Sequence, residues 1–171
     1  MKHLIIAVPA FVLAALSLWA ADAKMVAVPG ADAMSGYIGT KATPGGQSTL
    51  RDASGRTVGT ANTTGTRTTF RDSSGRTTGS ATVEGSRTVF RDAAGRTVGT
   101  AAPSGSQTTV FRDAAGRTQG SASESGGRTT FRDASGHTQS TAHATGSSTT
   151  FRDGSGRTTG TISTKGGRTA P

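Results

Sequence analysis

The large apolar side chains of this chain recur at a nearly constant interval. Beyond residue 23, the Leu and Phe residues are spaced by 20, 20, 21, 20 and 20 positions. They are Leu50, Phe70, Phe90, Phe111, Phe131 and Phe151. Each is followed by Arg-Asp-x-x-Gly, and in five of the six copies Arg-Thr comes next. A period this regular indicates one structural unit that is used repeatedly.

Each unit predicts two short strands joined by a tight arc. In residues 67–71, the side chains alternate so that Thr68 and Phe70 share one face. The second strand follows at residues 76–81, and its variable position is Thr78. Asp-x-x-Gly between the strands favours a turn, because Asp accepts from nearby backbone donors and Gly adopts positive φ. The predicted arc residues are Asp52, Gly55, Asp72, Gly75, Asp92, Gly95, Asp113, Gly116, Asp133, Gly136, Asp153 and Gly156.

Two all-β architectures fit this pattern. In the first, units stack about 4.8 Å apart as layers of a β-solenoid or cross-β, amyloid-like array, and the six Leu and Phe residues form a core ladder. In the second, successive units are hairpins of an antiparallel meander. Stacking is the preferred prediction, because the facing strand of the same layer would cover the small Gly79 and Ala81 face. The array would span residues 37–171, with units beginning near 50, 70, 90, 111, 131 and 151.

The N-terminal residues do not match the repeat. A short basic start precedes an apolar run over residues 4–20, and a small-x-small cleavage pattern ends at Ala23. We therefore predict that residues 1–23 are a secretory signal peptide and that residues 24–36 are a leader. The mature protein is expected to be extracellular, without a membrane span.

Composition limits what the repeat array can bury. Leu, Ile, Val and Phe account for 15 of the 148 residues after Ala23, a level at which disorder is the default expectation. The fixed spacing of the units argues against disorder. The chain has no cysteine, so it has neither disulfides nor thiolate metal sites. Any order must come from backbone hydrogen bonds and repetition.

The repeated sequence resembles two known groups of proteins. Phe-Arg-Asp-x-x-Gly-Arg resembles the Tyr-Asp-x-x-Gly-Arg core of YD (Rhs-type) repeats, a family that wraps long chains into β-shells around toxin cargo. The signal peptide and the short strand-arc-strand units over residues 37–171 resemble, in organisation, the curli-like subunits of bacterial extracellular amyloid fibres. The second resemblance implies assembly into fibres.

Catalysis and metal binding have little support in the residues. His137 and His143 replace different residue types of the other units, and no Ser/His/Asp arrangement is evident. One Asp per unit is sparser than in calcium-binding nonapeptide repeats. We therefore predict that the protein is not an enzyme and binds no cofactor or metal.

Arginine supplies the remaining chemical pattern. The chain has a net charge of +9, and most units carry one Arg before the arc and one after it against a single Asp. This excess predicts attraction of polyanions such as extracellular DNA or acidic polysaccharide, although a solvated charged face would have the same composition. The candidate contacts are Arg71, Arg76, Arg91, Arg96, Arg112 and Arg117.

Two functions follow from these patterns. In the preferred one, the protein is a secreted structural subunit that assembles with itself into extracellular amyloid-like fibres of a biofilm or cell-surface matrix. The unpaired strand edges of one copy would template the next copy. In the alternative, the chain is a monomeric basic β-repeat module that binds polyanions at the cell surface.

Overall fold

Strands and tight turns alternate through residues 46–165, the part of the chain that this computed structural model describes. The strands are β1 (Gln47–Asp52), β2 (Thr57–Thr64), β3 (Arg67–Asp72), β4 (Thr77–Glu84), β5 (Arg87–Asp92), β6 (Thr97–Pro103), β7 (Thr108–Asp113), β8 (Thr118–Ser125), β9 (Arg128–Asp133), β10 (Thr138–Thr145), β11 (Ser148–Asp153) and β12 (Thr158–Lys165). Within these residues, no helix is long and apolar enough to cross a membrane. The predicted signal peptide and leader lie outside the described residues.

The strands form one closed antiparallel barrel. Each strand pairs with the strands before and after it in the chain, and β12 returns to pair with β1. In that closing pair, Gln47 lies opposite Lys165 and Leu50 lies opposite Ile162. Every described strand therefore has a hydrogen-bonded neighbour on both sides.

Two kinds of hairpin connect the strands. At one end of the barrel, Asp-x-x-Gly makes a three-residue loop in which Gly75 N–H donates to the Asp72 carbonyl at 3.0 Å and Asp72 N–H donates to the Arg76 carbonyl at 2.9 Å. Gly75 has φ +79°, the left-handed conformation that this loop needs. At the other end, loops such as Gly65–Thr66 hold only two residues, because Thr64 and Arg67 are already paired. The one inserted residue of the array falls in the longer loop, residues 104–107.

The large apolar side chains form a ring inside the barrel. Phe70 is flanked by Ala61 on β2 and by Gly79 on β4, and this arrangement recurs around the barrel. Leu50, Phe70, Phe90, Phe131 and Phe151 are buried, whereas Phe111 is half-buried and packs against the same core with Val98. The small residues therefore make room for the large ones on the neighbouring strands. On β4, Gly79 lies opposite Phe70 of β3 and Ala81 lies opposite Phe90 of β5. Equivalent Phe residues on β3 and β5 are therefore offset by two residues along β4. Such an offset produces the strand tilt of a closed barrel.

The preferred prediction of a stacked solenoid or cross-β array is wrong. Phe131 and Phe151 lie on β9 and β11, with β10 between them, so equivalent Phe residues do not stack on adjacent strands. Two-residue loops return the chain to the adjacent antiparallel strand, whereas a layered array needs arcs that carry it to a facing sheet. The antiparallel hairpin alternative describes the strand succession correctly. Closure into a barrel was not predicted.

Candidate polyanion-binding rim

The topology gathers the six Asp-x-x-Gly hairpins at one end of the barrel, since each of them joins an odd-numbered strand to the next even-numbered one. We call this end the arginine rim. It holds eleven Arg and six Asp, an excess of five positive charges with His137 neutral. The outer arginines, which precede the Asp, are Arg51, Arg71, Arg91, Arg112, Arg132 and Arg152. The turn arginines, which follow the Gly, are Arg56, Arg76, Arg96, Arg117 and Arg157.

The Asp side chains of the rim are engaged within their own hairpins. Asp113 Oδ1 accepts from the backbone N–H of Arg117 at 2.9 Å, and its Oδ2 accepts from Arg117 Nε at 2.8 Å. The backbone hydrogen bond lowers the pKa of Asp113 below its ordinary value, although burial opposes the shift. The pKa of Asp153 is lowered chiefly by the Ser155 hydroxyl. Burial raises the pKa of Asp133, but hydrogen bonds, the strongest of them from the His137 backbone N–H, outweigh burial. The pKa of Asp133 is therefore below its ordinary value. These carboxylates are thus ionised turn formers.

The turn arginines extend from these carboxylates into solvent. Arg76 contacts Asp72 through Nε at 3.2 Å, and this contact leaves both terminal amino groups of the guanidinium available. The side chains in such pairs are 77–83 % exposed at Arg56, Arg76, Arg96 and Arg117. His137 occupies the same place in its unit, with Nδ1 3.4 Å from Asp133 Oδ2. An exposed guanidinium held at Nε presents donors outward at little further ordering cost.

The outer arginines are held by the loop carbonyl instead. Arg71 donates from NH1 to the Gly75 carbonyl at 2.9 Å. Four other outer arginines make the same contact at 2.9–3.1 Å: Arg51, Arg112, Arg132 and Arg152. Arg91 differs, because its NH2 lies 3.5 Å from Glu84 Oε1. Five outer guanidinium groups therefore have a defined position beside the hairpin and keep further N–H donors.

Hydroxyl side chains flank every outer arginine on both neighbouring strands. Arg71 pairs with Thr60 on β2 and with Thr77 on β4. The residues in the place of Thr60 are Ser80, Thr100, Ser121, Thr141 and Thr161, and those in the place of Thr77 are Thr57, Thr97, Thr118, Thr138 and Thr158. We call the outer arginines and these residues the Arg–hydroxyl belt. Around the barrel, the guanidinium groups of this belt therefore alternate with hydroxyl groups.

The structure places the six candidate contacts on the hairpins of the arginine rim, but the Arg91 guanidinium reaches back to Glu84 near the short-loop end. The rim hairpins also carry five arginines that were not among the candidate contacts, although they occupy equivalent positions of the repeat. They are Arg51, Arg56, Arg132, Arg152 and Arg157. The hydroxyl partners were missed because their proximity depends on pairing between strands. The described part of the chain holds no group of three or more His, Asp or Glu side chains placed to bind a metal ion.

No protein-family model, curated protein or solved structure matches this chain. The resemblances to YD repeats and to curli-like subunits therefore rest on repeat text and organisation alone. Only the residues of the arginine rim and their contacts indicate what it binds.

Proposed function

We propose that this protein is a binding module for polyanions and that the arginine rim is its contact surface. The observation that carries the proposal is the collection of eleven arginines at one end of a closed barrel. A dense single-sign surface concentrates oppositely charged chains and speeds their association. With the predicted signal peptide, the proposed site of action is extracellular.

The local geometry supports anion binding beyond net charge. The rim carboxylates already accept from backbone N–H groups and, in most hairpins, from the turn Arg Nε, as in Asp72 with Arg76. Further guanidinium N–H donors of these arginines therefore face solvent. A guanidinium presents two parallel donors that match a carboxylate or phosphate, so Arg binds such groups with better geometry than Lys does.

The test is a titration with inorganic polyphosphate of about 50 phosphates, followed by fluorescence anisotropy, at several salt concentrations. The affinity of the wild-type chain is expected to fall steeply with added salt, because binding releases counterions. A rim variant with three outer arginines replaced should lose roughly tenfold to a hundredfold in affinity, since each exposed charged contact contributes about 0.5–1 kcal/mol. The rim variant is R71Q/R112Q/R152Q.

A matched control removes the same charge from the opposite end of the barrel. There, Arg87 and Arg128 begin odd-numbered strands and Lys165 ends β12. The control variant is R87Q/R128Q/K165Q, which leaves out Arg67 because that residue donates to Ser80 of the Arg–hydroxyl belt at 3.3 Å. It should lose much less affinity than the rim variant at equal net charge. Equal losses in the two variants, at equal thermal stability, would reject the rim as the contact surface and leave only non-specific charge attraction.

Fibre assembly remains a prediction. Its proposed growth step needs unpaired strand edges, and every described strand edge is paired in the closed barrel. Growth by that route would first require β1 and β12 to separate.

A further inference from the structure

We infer that the polyanion bound at the rim is a flexible acidic polysaccharide, a chain of sugars that carries carboxylate groups, and that the Arg–hydroxyl belt recognises it. This inference rests on the proposed polyanion-binding function and narrows its ligand. It is carried by the pairing pattern of the belt, by the curvature of the rim and by the placement of the phenyl rings.

The belt offers the two kinds of group that such a ligand needs. Guanidinium forks pair with carboxylates, whereas hydroxyls donate to and accept from sugar hydroxyls. Thr60, Thr100 and Thr141 flank outer arginines, are half-buried, and make no side-chain hydrogen bond with the described residues. Within the described residues, nothing occupies these hydroxyls, which can therefore bind a ligand. A phosphate or carboxylate oxygen can accept from a hydroxyl, but only a ligand with hydroxyls of its own, such as a sugar, can also donate to it.

The curvature of the rim disfavours duplex DNA. Twelve strands at about 4.8 Å spacing give a circumference on the order of 60 Å, so the outer arginines follow a tight circle. A DNA duplex is stiff over about 150 base pairs and would touch only a short arc of that circle. A flexible polysaccharide can follow more of the circle and contact more arginines together.

The phenyl rings disfavour single-stranded nucleic acid. Proteins that bind single strands without sequence preference usually stack bases on exposed aromatic side chains. The Phe residues of the described part of the chain lie in the core or pack against it, and this part contains no Tyr or Trp. The outer surface of the barrel therefore presents no phenyl or indole platform for bases within residues 46–165.

The experiment separates sugar recognition from charge attraction with a variant that keeps every charge. Replacing three belt threonines by valine, T60V/T100V/T141V, removes hydroxyls and retains β-branched side chains that suit a strand. Affinities of the full chain would be measured for a polyuronate of about 20 sugars, for polyphosphate of similar charge and for a 20-base-pair DNA duplex. We expect the variant to bind the polyuronate roughly tenfold more weakly. Its loss of affinity for polyphosphate should be clearly smaller, because polyphosphate can accept a hydrogen bond from these hydroxyls but has almost no hydroxyls with which to donate to them.

Each outcome decides a different point. Equal affinity of the wild type and the valine variant for the polyuronate would overturn the inference while leaving polyanion binding intact. Tighter binding of the duplex than of the polyuronate at the same salt would overturn it in favour of DNA. Absence of binding to all three probes at low salt would reject the proposed function itself. The rim variant R71Q/R112Q/R152Q serves as the charge control, because it should weaken binding to every probe.

Discussion

At the scale of single residues, one buried hydroxyl lacks the partner that its equivalent has. Thr68 and Thr63 lie opposite each other and share a hydrogen bond of 2.9 Å inside the barrel. At the equivalent place, Thr149 lies opposite Ala144, and its Oγ1 is buried without a partner. A buried unpaired hydroxyl lowers stability, because it has lost water without gaining a protein hydrogen bond.

Replacing Ala144 by Thr should stabilise the barrel. The new hydroxyl can pair with Thr149 as Thr63 pairs with Thr68, and the expected gain is about 1 kcal/mol in the free energy of unfolding. Ala144 is exposed at the barrel end, so a larger side chain has room. Urea unfolding would measure the change. The control is Ala144→Val, which adds the same bulk without a hydroxyl; if it stabilises as much as Ala144→Thr, packing and not the hydrogen bond is responsible.

Two classes of glycine in the repeat should respond differently to substitution. A Cβ on Gly75 would meet no atom within 4 Å, but its φ of +79° is unfavourable for other residues. A Cβ on Gly99 would lie 2.6 Å from the Arg112 carbonyl oxygen, a backbone atom on the neighbouring strand. Gly75→Ala should therefore cost about 1 kcal/mol, and Gly99→Ala about 1–3 kcal/mol.

Asparagine distinguishes these two causes. Asn tolerates the left-handed conformation, so Gly75→Asn should be less destabilising than Gly75→Ala. Gly99→Asn should be no better than Gly99→Ala, because any side chain at that position meets the same carbonyl. Thermal unfolding of the four variants would test this order, and rescue by Asn at Gly99 would show that space is not the constraint there.

At the scale of the hairpin, the rim carboxylates make stability depend on pH. The pKa of Asp113 is below its ordinary value of 3.8, because the ionised form accepts the Arg117 N–H. A lowered native pKa contributes stability that is present above the unfolded-state pKa and is lost as pH falls through the native pKa. All six rim Asp residues have lowered pKa values, so the barrel should lose stability below about pH 4.

The Asp113→Asn variant isolates one such contribution. Asn still accepts from the Arg117 N–H but cannot ionise, so the variant should be less stable than wild type at pH 7. The difference should shrink as pH falls below about 4, when Asp113 itself becomes protonated. Urea midpoints between about pH 7 and pH 2 would measure it. A difference that stays constant over this range would mean that the ionisation of Asp113 does not stabilise its hairpin.

Much of the hairpin could be predicted from sequence, because its chemistry is local. Asp72 and Gly75 make the turn expected of Asp-x-x-Gly, and Phe70 faces the interior with Thr68. The variability of Thr78 has a local explanation that the sequence could not supply. The pairing skips this residue at a β-bulge, since Phe70 pairs with Gly79 and Arg71 pairs with Thr77. An unpaired position imposes little on the identity of its side chain.

At the scale of the whole molecule, closure could not be predicted from one unit. The contact between Leu50 and Ile162 joins residues at the two ends of the array, and no local pattern encodes which strand meets β1. The same limit applies to the candidate site. The Arg excess was visible in the sequence, but the pairing of Arg71 with Thr60 depends on the alignment of two strands.

Removing β12 should convert the closed barrel into an associating species. Deleting residues 158–171 leaves β1 and β11 each with an unpaired edge, and exposed edges favour strand pairing between chains. We expect the full chain to elute as a monomer in size-exclusion chromatography with light scattering, and the truncated chain to form oligomers or filaments. Deleting residues 166–171 alone retains β12 and is the control. A truncated chain that stays monomeric and folded would show that closure does not suppress association.

The pairing of β12 with β1 also constrains how the gene can change. Near-identical tandem units are prone to duplication and deletion, and a stacked array would simply become longer or shorter. In this barrel, one more unit adds two strands to the circumference and widens the space that a ring of Leu and Phe side chains must fill. A lost unit would crowd the same ring. The number of units in this protein is therefore constrained by the geometry of the closed barrel.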